Sequence, residues 1–342
     1  MPGRLAKLSA IARLPARIAL ALVAAGATFG SMEANAAASV PESVALPGDH
    51  AFPENIAASH DGTLYIGSLG AGGVYRVEPH GKEAKAWIKP GAFGTHSIFG
   101  LLADDESNTL WVCSNDLTTS PGITIGGSDG VSALKGFDLK TGEGKVSVAL
   151  AGKPALCNDI TIGPDGAAYV TNTAAPQILR LAPGAKELEV WFTDPALQPA
   201  NGPGLDGLAF TPDGNLYVDR YSPGDLYRIN VKSGKATGFT KLTPSRPLVL
   251  TDAIRRIGKN RFLIIEGGGR LDSFTVRGDR VAVETLKDGF ATPTGVAVVG
   301  KTAWVSEGQL PYVFDPSKKD QKPNLPFHIY SVDLPAGAAA AH

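Results

Sequence analysis

One short apolar–aromatic phrase recurs along the chain: TLYIGS at 63–68, TLWVCS at 109–114, AAYVTN at 167–172, NLYVDR at 215–220, RFLIIE at 261–266 and TAWVSE at 302–307. Each is rich in β-branched and aromatic residues and is flanked by polar turns, the pattern of a half-buried strand. Taking Tyr65, Trp111, Tyr169, Tyr217, Leu263 and Trp304 as registers, the intervals are 46, 58, 48, 46 and 41 residues. That is the period of a four-stranded propeller blade, and there are six copies. The fourth copy divides fully: DGLAF, turn TPDGN, LYVDRY, turn SPGD, LYRINV, turn KSGK, ATGFTKL. Asp213-Gly214 supplies the positive-φ residue of its first hairpin, and the same pair recurs at Asp61-Gly62 and Asp165-Gly166. The predicted fold is all-β, a single six-bladed propeller with blades over roughly residues 45–335. Either ESVALP near the start or FHIYSV at 327–332 closes the last blade. No segment between the strands reaches helix length, so a βαβ array does not fit. Nor does a linker interrupt the chain, as two sandwiches would require.

Composition changes the picture at the N-terminus. Arg4, Lys7, Arg13 and Arg17 precede the apolar run IALALVAAGATFG and then ANA at 34–36. These are the three parts of a secretory signal, so residues 1–36 are expected to be removed and 37–342 to form the mature domain. The apolar run is short for a membrane span. Without the leader, 28 basic and 32 acidic residues remain (32 − 4 and 33 − 1), a net charge near −4. Neither nucleic acid nor a membrane is expected as partner of this mildly acidic, periplasmic or secreted monomer. Cys113 and Cys157 match no zinc spacing, and a disulfide and two buried thiols are both compatible with their strand-like contexts.

Eleven residues before each register lie Glu54, Gly100, Asn158, Asp206, Asp252 and Pro293. In a propeller this position opens the innermost strand, so equivalent residues converge on the axis at one mouth of the channel. Three carboxylates and an amide converging there repel unless a cation joins them. The set is all oxygen. It suits one hard divalent ion, Ca²⁺ first, with Mg²⁺, Mn²⁺ or Zn²⁺ behind it.

The phrases FPENIAAS, CNDITIGPDG, LDGLAFTPDGNLYV and TDAIRRI resemble the senescence marker protein, gluconolactonase and luciferin-regenerating enzyme family, and more distantly the paraoxonases. The resemblance spans nearly the whole mature chain. It implies that Glu54, Asp206 and Asp252 bind one divalent metal, and that Asn158 approaches both metal and substrate. It also implies a metal-dependent lactonase or related esterase, with Asp252 as the base. His96, opening the second blade, is the rival base. Sugar-lactone members carry an Arg where this chain has Leu156, which points to a less polar substrate. Asp206 replaces an Asn found in many members and adds a negative charge.

Asn115, Asn172, Arg220, Glu266 and Glu307, at the ends of second strands, are further candidates for the pocket wall; Asn172 and Arg220 join Asn158 and Leu156 as expected substrate contacts. No G-x-S-x-G elbow supports serine catalysis. Two other readings remain. One is a non-catalytic binding propeller with a structural Ca²⁺, and the other a strictosidine-synthase-like propeller that makes no use of the carboxylates.

Overall fold

The computed structural model describes residues 42–117, 130–318 and 320–336. The expected leader and its cleavage site lie outside the described residues.

Six antiparallel sheets follow one another around an axis, each with its first strand innermost. The inner strands are Pro53–Ala58, Ser97–Asp104, Cys157–Ile162, Leu205–Phe210, Thr251–Arg256 and Pro293–Val299. Each packs against the inner strand of both neighbours, and the ring closes between blades 6 and 1. The second strands carry the six phrases: Leu64–Ser68, Thr109–Asn115, Ala168–Asn172, Leu216–Arg220, Arg261–Glu266 and Thr302–Glu307. Blade 5 gains a fifth, parallel strand, Thr243–Pro244.

Both segments proposed for closure take part in it. His328–Asp333 is the third strand of blade 6, and Ser43–Ala45 pairs outside it as the fourth. The two ends of the described chain are therefore held in one sheet.

The register aromatics fill the space between blades. Tyr169 meets Phe210 of the next blade edge-on with ring centres 4.9 Å apart, and Tyr217 meets Phe262 at 5.1 Å. Each such buried ring contributes about 1.5–3 kcal/mol. Asp213 is a turn residue, as expected: its carboxylate accepts from Thr211 Oγ1 at 2.5 Å, and Gly214 has φ 83°.

All six inner strands carry a bulge near their first residues. A bulge breaks the in–out alternation locally, so two successive residues can address the axis. Blades 2, 4 and 6 place glycine second in that pair. A Cβ on Gly207 would lie 2.5 Å from Ile254 N, and one on Gly295 2.7 Å from Asn55 Cα. Only glycine allows adjacent blades to approach this closely.

Cys113 and Cys157 are disulfide-bonded, with Cα atoms 5.1 Å apart, and the bond ties blade 2 to blade 3. No helix among the described residues is long and apolar enough to cross a membrane.

Candidate functional site

Strand pairing refines the axial column. Tyr169 pairs with Thr161, eight residues back, whereas Trp111 pairs with Leu102, nine back, and Trp304 with Ala297, seven back. A fixed step of eleven therefore misses by one in blades 2 and 6. The equivalent residues are Phe99 and Thr294, not Gly100 and Pro293. The corrected column reads Glu54, Phe99, Asn158, Asp206, Asp252 and Thr294, all buried.

The four oxygen-bearing residues from blades 1, 3, 4 and 5 are brought together. Asn158 Nδ2 donates to Asp206 Oδ2 and to Thr173 Oγ1, both at 2.8 Å. Its Oδ1 has no hydrogen-bond partner among the described residues, and neither do Glu54 Oε2 and Asp206 Oδ1. Asp252 Oδ1 accepts from Ala253 N at 2.9 Å. Burial pushes the carboxyls of Glu54, Asp206 and Asp252 well above their ordinary range, and neighbouring acids push them the same way.

The second residue of each bulge forms a layer below. Here Arg255, reaching from the inner strand of blade 5, spans the axis. Its Nη1 donates to Asp159 Oδ2 at 2.6 Å, and its Nη2 to Asp159 Oδ1 at 3.0 Å and Asn55 Oδ1 at 3.2 Å. A longer contact reaches Leu101 O. One guanidinium thus joins blades 1, 2, 3 and 5. Beneath this floor a cavity of about 630 Å³ opens at the far end of the channel, walled by Ala57, Leu102, Ile160, Phe210 and Ile254. The column carboxylates do not line it.

Asp219 was missed in the sequence. It stands two residues after its register, where blades 3 and 6 place Thr171 and Ser306. Thr171 Oγ1 accepts from Asp159 N and donates to Asp206 O at 2.6 Å. Ser306 Oγ likewise links Gly295 N to Glu54 O. Asp219 is fully buried, and neither carboxyl oxygen has a hydrogen-bond partner among the described residues. Burial and then Asp206 push its carboxyl well up, so the neutral acid is favoured; that form offers one acceptor and one donor, as the hydroxyls do. Cys113 holds the same position in blade 2, where the disulfide takes over the link to the next blade.

The residues ending the second strands are committed elsewhere. Asn172 Oδ1 accepts from Leu156 N and Ala174 N, while its Nδ2 donates to Pro154 O and Gln177 Oε1, so the expected substrate contact is a structural bracket. Arg220 is likewise not presented to the mouth as a free cation: it pairs with Asp225 and stacks over Tyr227. Asn115 brackets the backbone of Cys157. Glu266 accepts from Val249 N and pairs with Arg246, and Glu307 accepts from Ala291 N. These positions fasten the mouth-side loops to the blades. Leu156 packs partly buried against the core. His96 lies half-buried just before the inner strand of blade 2, its backbone N–H donating to Ser114 Oγ at 2.9 Å.

Comparison with known proteins is consistent with this architecture. Residues 30–77 match the family model described as strictosidine synthase-like, N-terminal. Core trichothecene cluster protein 14 of Fusarium sporotrichioides is 32% identical over 141 residues, 41% of this chain and 36% of that protein. Among solved structures, the Malassezia sympodialis allergen Mala s 1 aligns with TM-score 0.64 at 15% identity, over 86% of this chain and 97% of the other. A candidate gluconolactonase aligns with TM-score 0.62 at 15% identity, over 88% and 94%. Regucalcin of Agrobacterium tumefaciens, a calcium-binding protein, aligns with TM-score 0.60 at 15% identity, over 86% and 96%. The likenesses establish the fold class, a six-bladed β-propeller of the architecture shared by gluconolactonase, regucalcin and Mala s 1.

Proposed function

We propose that this protein is an exported hydrolase of lactones or related esters that depends on one divalent cation. The observation that carries the reading is the column itself. Glu54, Asp206 and Asp252 are buried together, with Asp159 and Asp219 close by, and the Arg255 guanidinium draws the carboxyls of Glu54 and Asp206 back down. Five buried acids around one guanidinium do not all ionise without further positive charge.

Among the described residues no group of three or more His, Cys, Asp or Glu is preset as a metal cluster. The donors nonetheless fit a hard cation in their chemistry. Three unpartnered oxygens, from Glu54, Asn158 and Asp206, are buried at the mouth. Ca²⁺ is the expected ion, held by Glu54, Asn158, Asp206 and Asp252. When bound it supplies a Lewis acid that polarises an ester carbonyl. Asp252, ionised, takes the proton of the attacking water. The acyl C–O bond breaks and the leaving oxygen is protonated, giving a hydroxy acid from a lactone. His96 is the alternative base.

Export is supported by the leader at 1–36 and by the Cys113–Cys157 disulfide, which suits an oxidising compartment. The match of residues 30–77 favours a second reading, a strictosidine-synthase-like propeller whose activity ignores the carboxylates.

A substrate panel separates the two. Leu156 lies just before the inner strand of blade 3, and Val249, Phe314 and Leu325, in segments that follow or precede the mouth-side strand ends, are each about half exposed. An apolar wall gains about 0.8 kcal/mol per methylene buried, whereas without a charged fork a polyhydroxylated ring is poorly distinguished. Alkyl-substituted or aromatic lactones should show higher kcat/KM than gluconolactone, with chelator abolishing turnover. Gluconolactone as the best substrate would contradict the apolar-wall argument. Turnover indifferent to chelator would favour the second reading.

A further inference from the structure

The position four residues after each register forms a tier immediately outside the column. Its backbone is fixed: Leu69, Thr173, Tyr221 and Gly267 donate N–H to Phe52 O, Leu156 O, Gly204 O and Leu250 O at 2.7–3.1 Å. In blades 3 and 6 this position faces the column residue of its own blade, whereas in blade 2 Asn115 turns to the backbone of Cys157. Thr173 Oγ1 accepts from Asn158, and a Cβ on Gly308 would lie 2.7 Å from Thr294 Cγ2. Tyr221 holds the same position in blade 4, the blade of Asp206. Its hydroxyl lies 3.5 Å from where a Cβ on Gly267 would stand, so the ring leans across from blade 4 toward blade 5, which carries Asp252. The glycines at 267 and 308 leave that side of the tier open. Tyr221 is half-buried, and its hydroxyl forms no hydrogen bond with another described residue. The hydroxyl is not among the buried unpartnered atoms, so it is open to the mouth for a ligand oxygen.

We infer that Tyr221 is a substrate-contacting hydrogen-bond donor, its hydroxyl held over the Asp206–Asp252 side of the mouth to bind an oxygen of the ester or lactone. This rests on the ester-cleaving reading of the mouth. Burial, followed by the charges of Asp252, Asp206 and Glu54, pushes the phenol far above its ordinary range. A phenol ordinarily titrates at about 10, so at neutral pH the hydroxyl is a donor. Removing it should lower the rate without reshaping the pH profile.

The test uses the full Ca²⁺-loaded protein, Tyr221→Phe, an alkyl-bearing δ-lactone, and the matching δ-lactam, which binds without turning over. Tyr221→Phe should lower kcat/KM for the lactone about 10- to 100-fold and lactam affinity about tenfold. The melting temperature should move by no more than about 2 °C. An active wild type with an equally active Tyr221→Phe would overturn the assignment of Tyr221 alone. A wild type that neither cleaves the lactone nor binds the lactam would overturn both this assignment and the hydrolase reading.

Discussion

Arg255→Met should cost about 3–5 kcal/mol of folding stability, the loss expected when one partner of a buried ion pair is removed. The guanidinium holds both oxygens of Asp159, which is wholly buried, and without it that carboxylate loses its ion-pair partner while still facing Glu54 and Asp206. The contacts to Asn55 and Leu101 are lost with it, and with them one tie across four blades. Methionine keeps most of the volume, so the loss is electrostatic rather than a cavity. Adding Asp159→Leu should recover most of it, since a buried pair replaced on both sides is often neutral. Equilibrium urea unfolding measures both variants. A cost below about 1 kcal/mol for Arg255→Met would show that the axial floor is not an electrostatic tie.

Asp252→Asn should remove most turnover, about 10²- to 10⁴-fold in kcat/KM, while the protein still folds. The one amide oxygen can still accept from Ala253 N, so local structure is preserved. It cannot take a proton from water at neutral pH. The acidic limb of the wild-type pH profile, set by ionisation of the base, should vanish in the residual activity. Unchanged turnover would exclude Asp252 and transfer the role to His96.

Much of the fold was legible because the six phrases repeat at blade spacing and Asp-Gly turns mark three of the hairpins. Glu54, Asn158, Asp206 and Asp252 were legible for the same reason: their blades share one distance between register and inner-strand partner. Phe99 and Thr294 were hidden because that distance is one residue longer in blade 2 and one shorter in blade 6. Strand-end polar residues such as Asn172 and Arg220 look alike in sequence, whether they face a ligand or bracket a loop. Arg255 and Asp219 carried a signal that was passed over. Each is a charged residue where the other blades place small, apolar or hydroxyl residues: Ala57, Leu102, Thr161, Ala209 and Ala297 for the first, and Gly67, Cys113, Thr171, Ile265 and Ser306 for the second. Tyr221 needed three dimensions, since only the turn after its strand directs the ring over the next blade.

The central claim, a divalent cation held by the axial carboxylates, is tested most directly by the difference in melting temperature between Ca²⁺-loaded and chelated protein as a function of pH. In the chelated protein Glu54, Asp206 and Asp252 have raised pKa values. Their contribution to stability is full below the unfolded values of 4.5 for Glu and 3.8 for Asp, and is lost as pH rises through the folded values. Calcium needs the same groups ionised, so its stabilisation grows over that window, toward about 2.7 kcal/mol at a hundredfold excess over Kd. The expected result is a Ca²⁺-dependent rise in melting temperature that is large at pH 8, shrinks toward pH 4, and is absent from Asp206→Ala. Identical melting with calcium and with chelator at every pH would contradict the account.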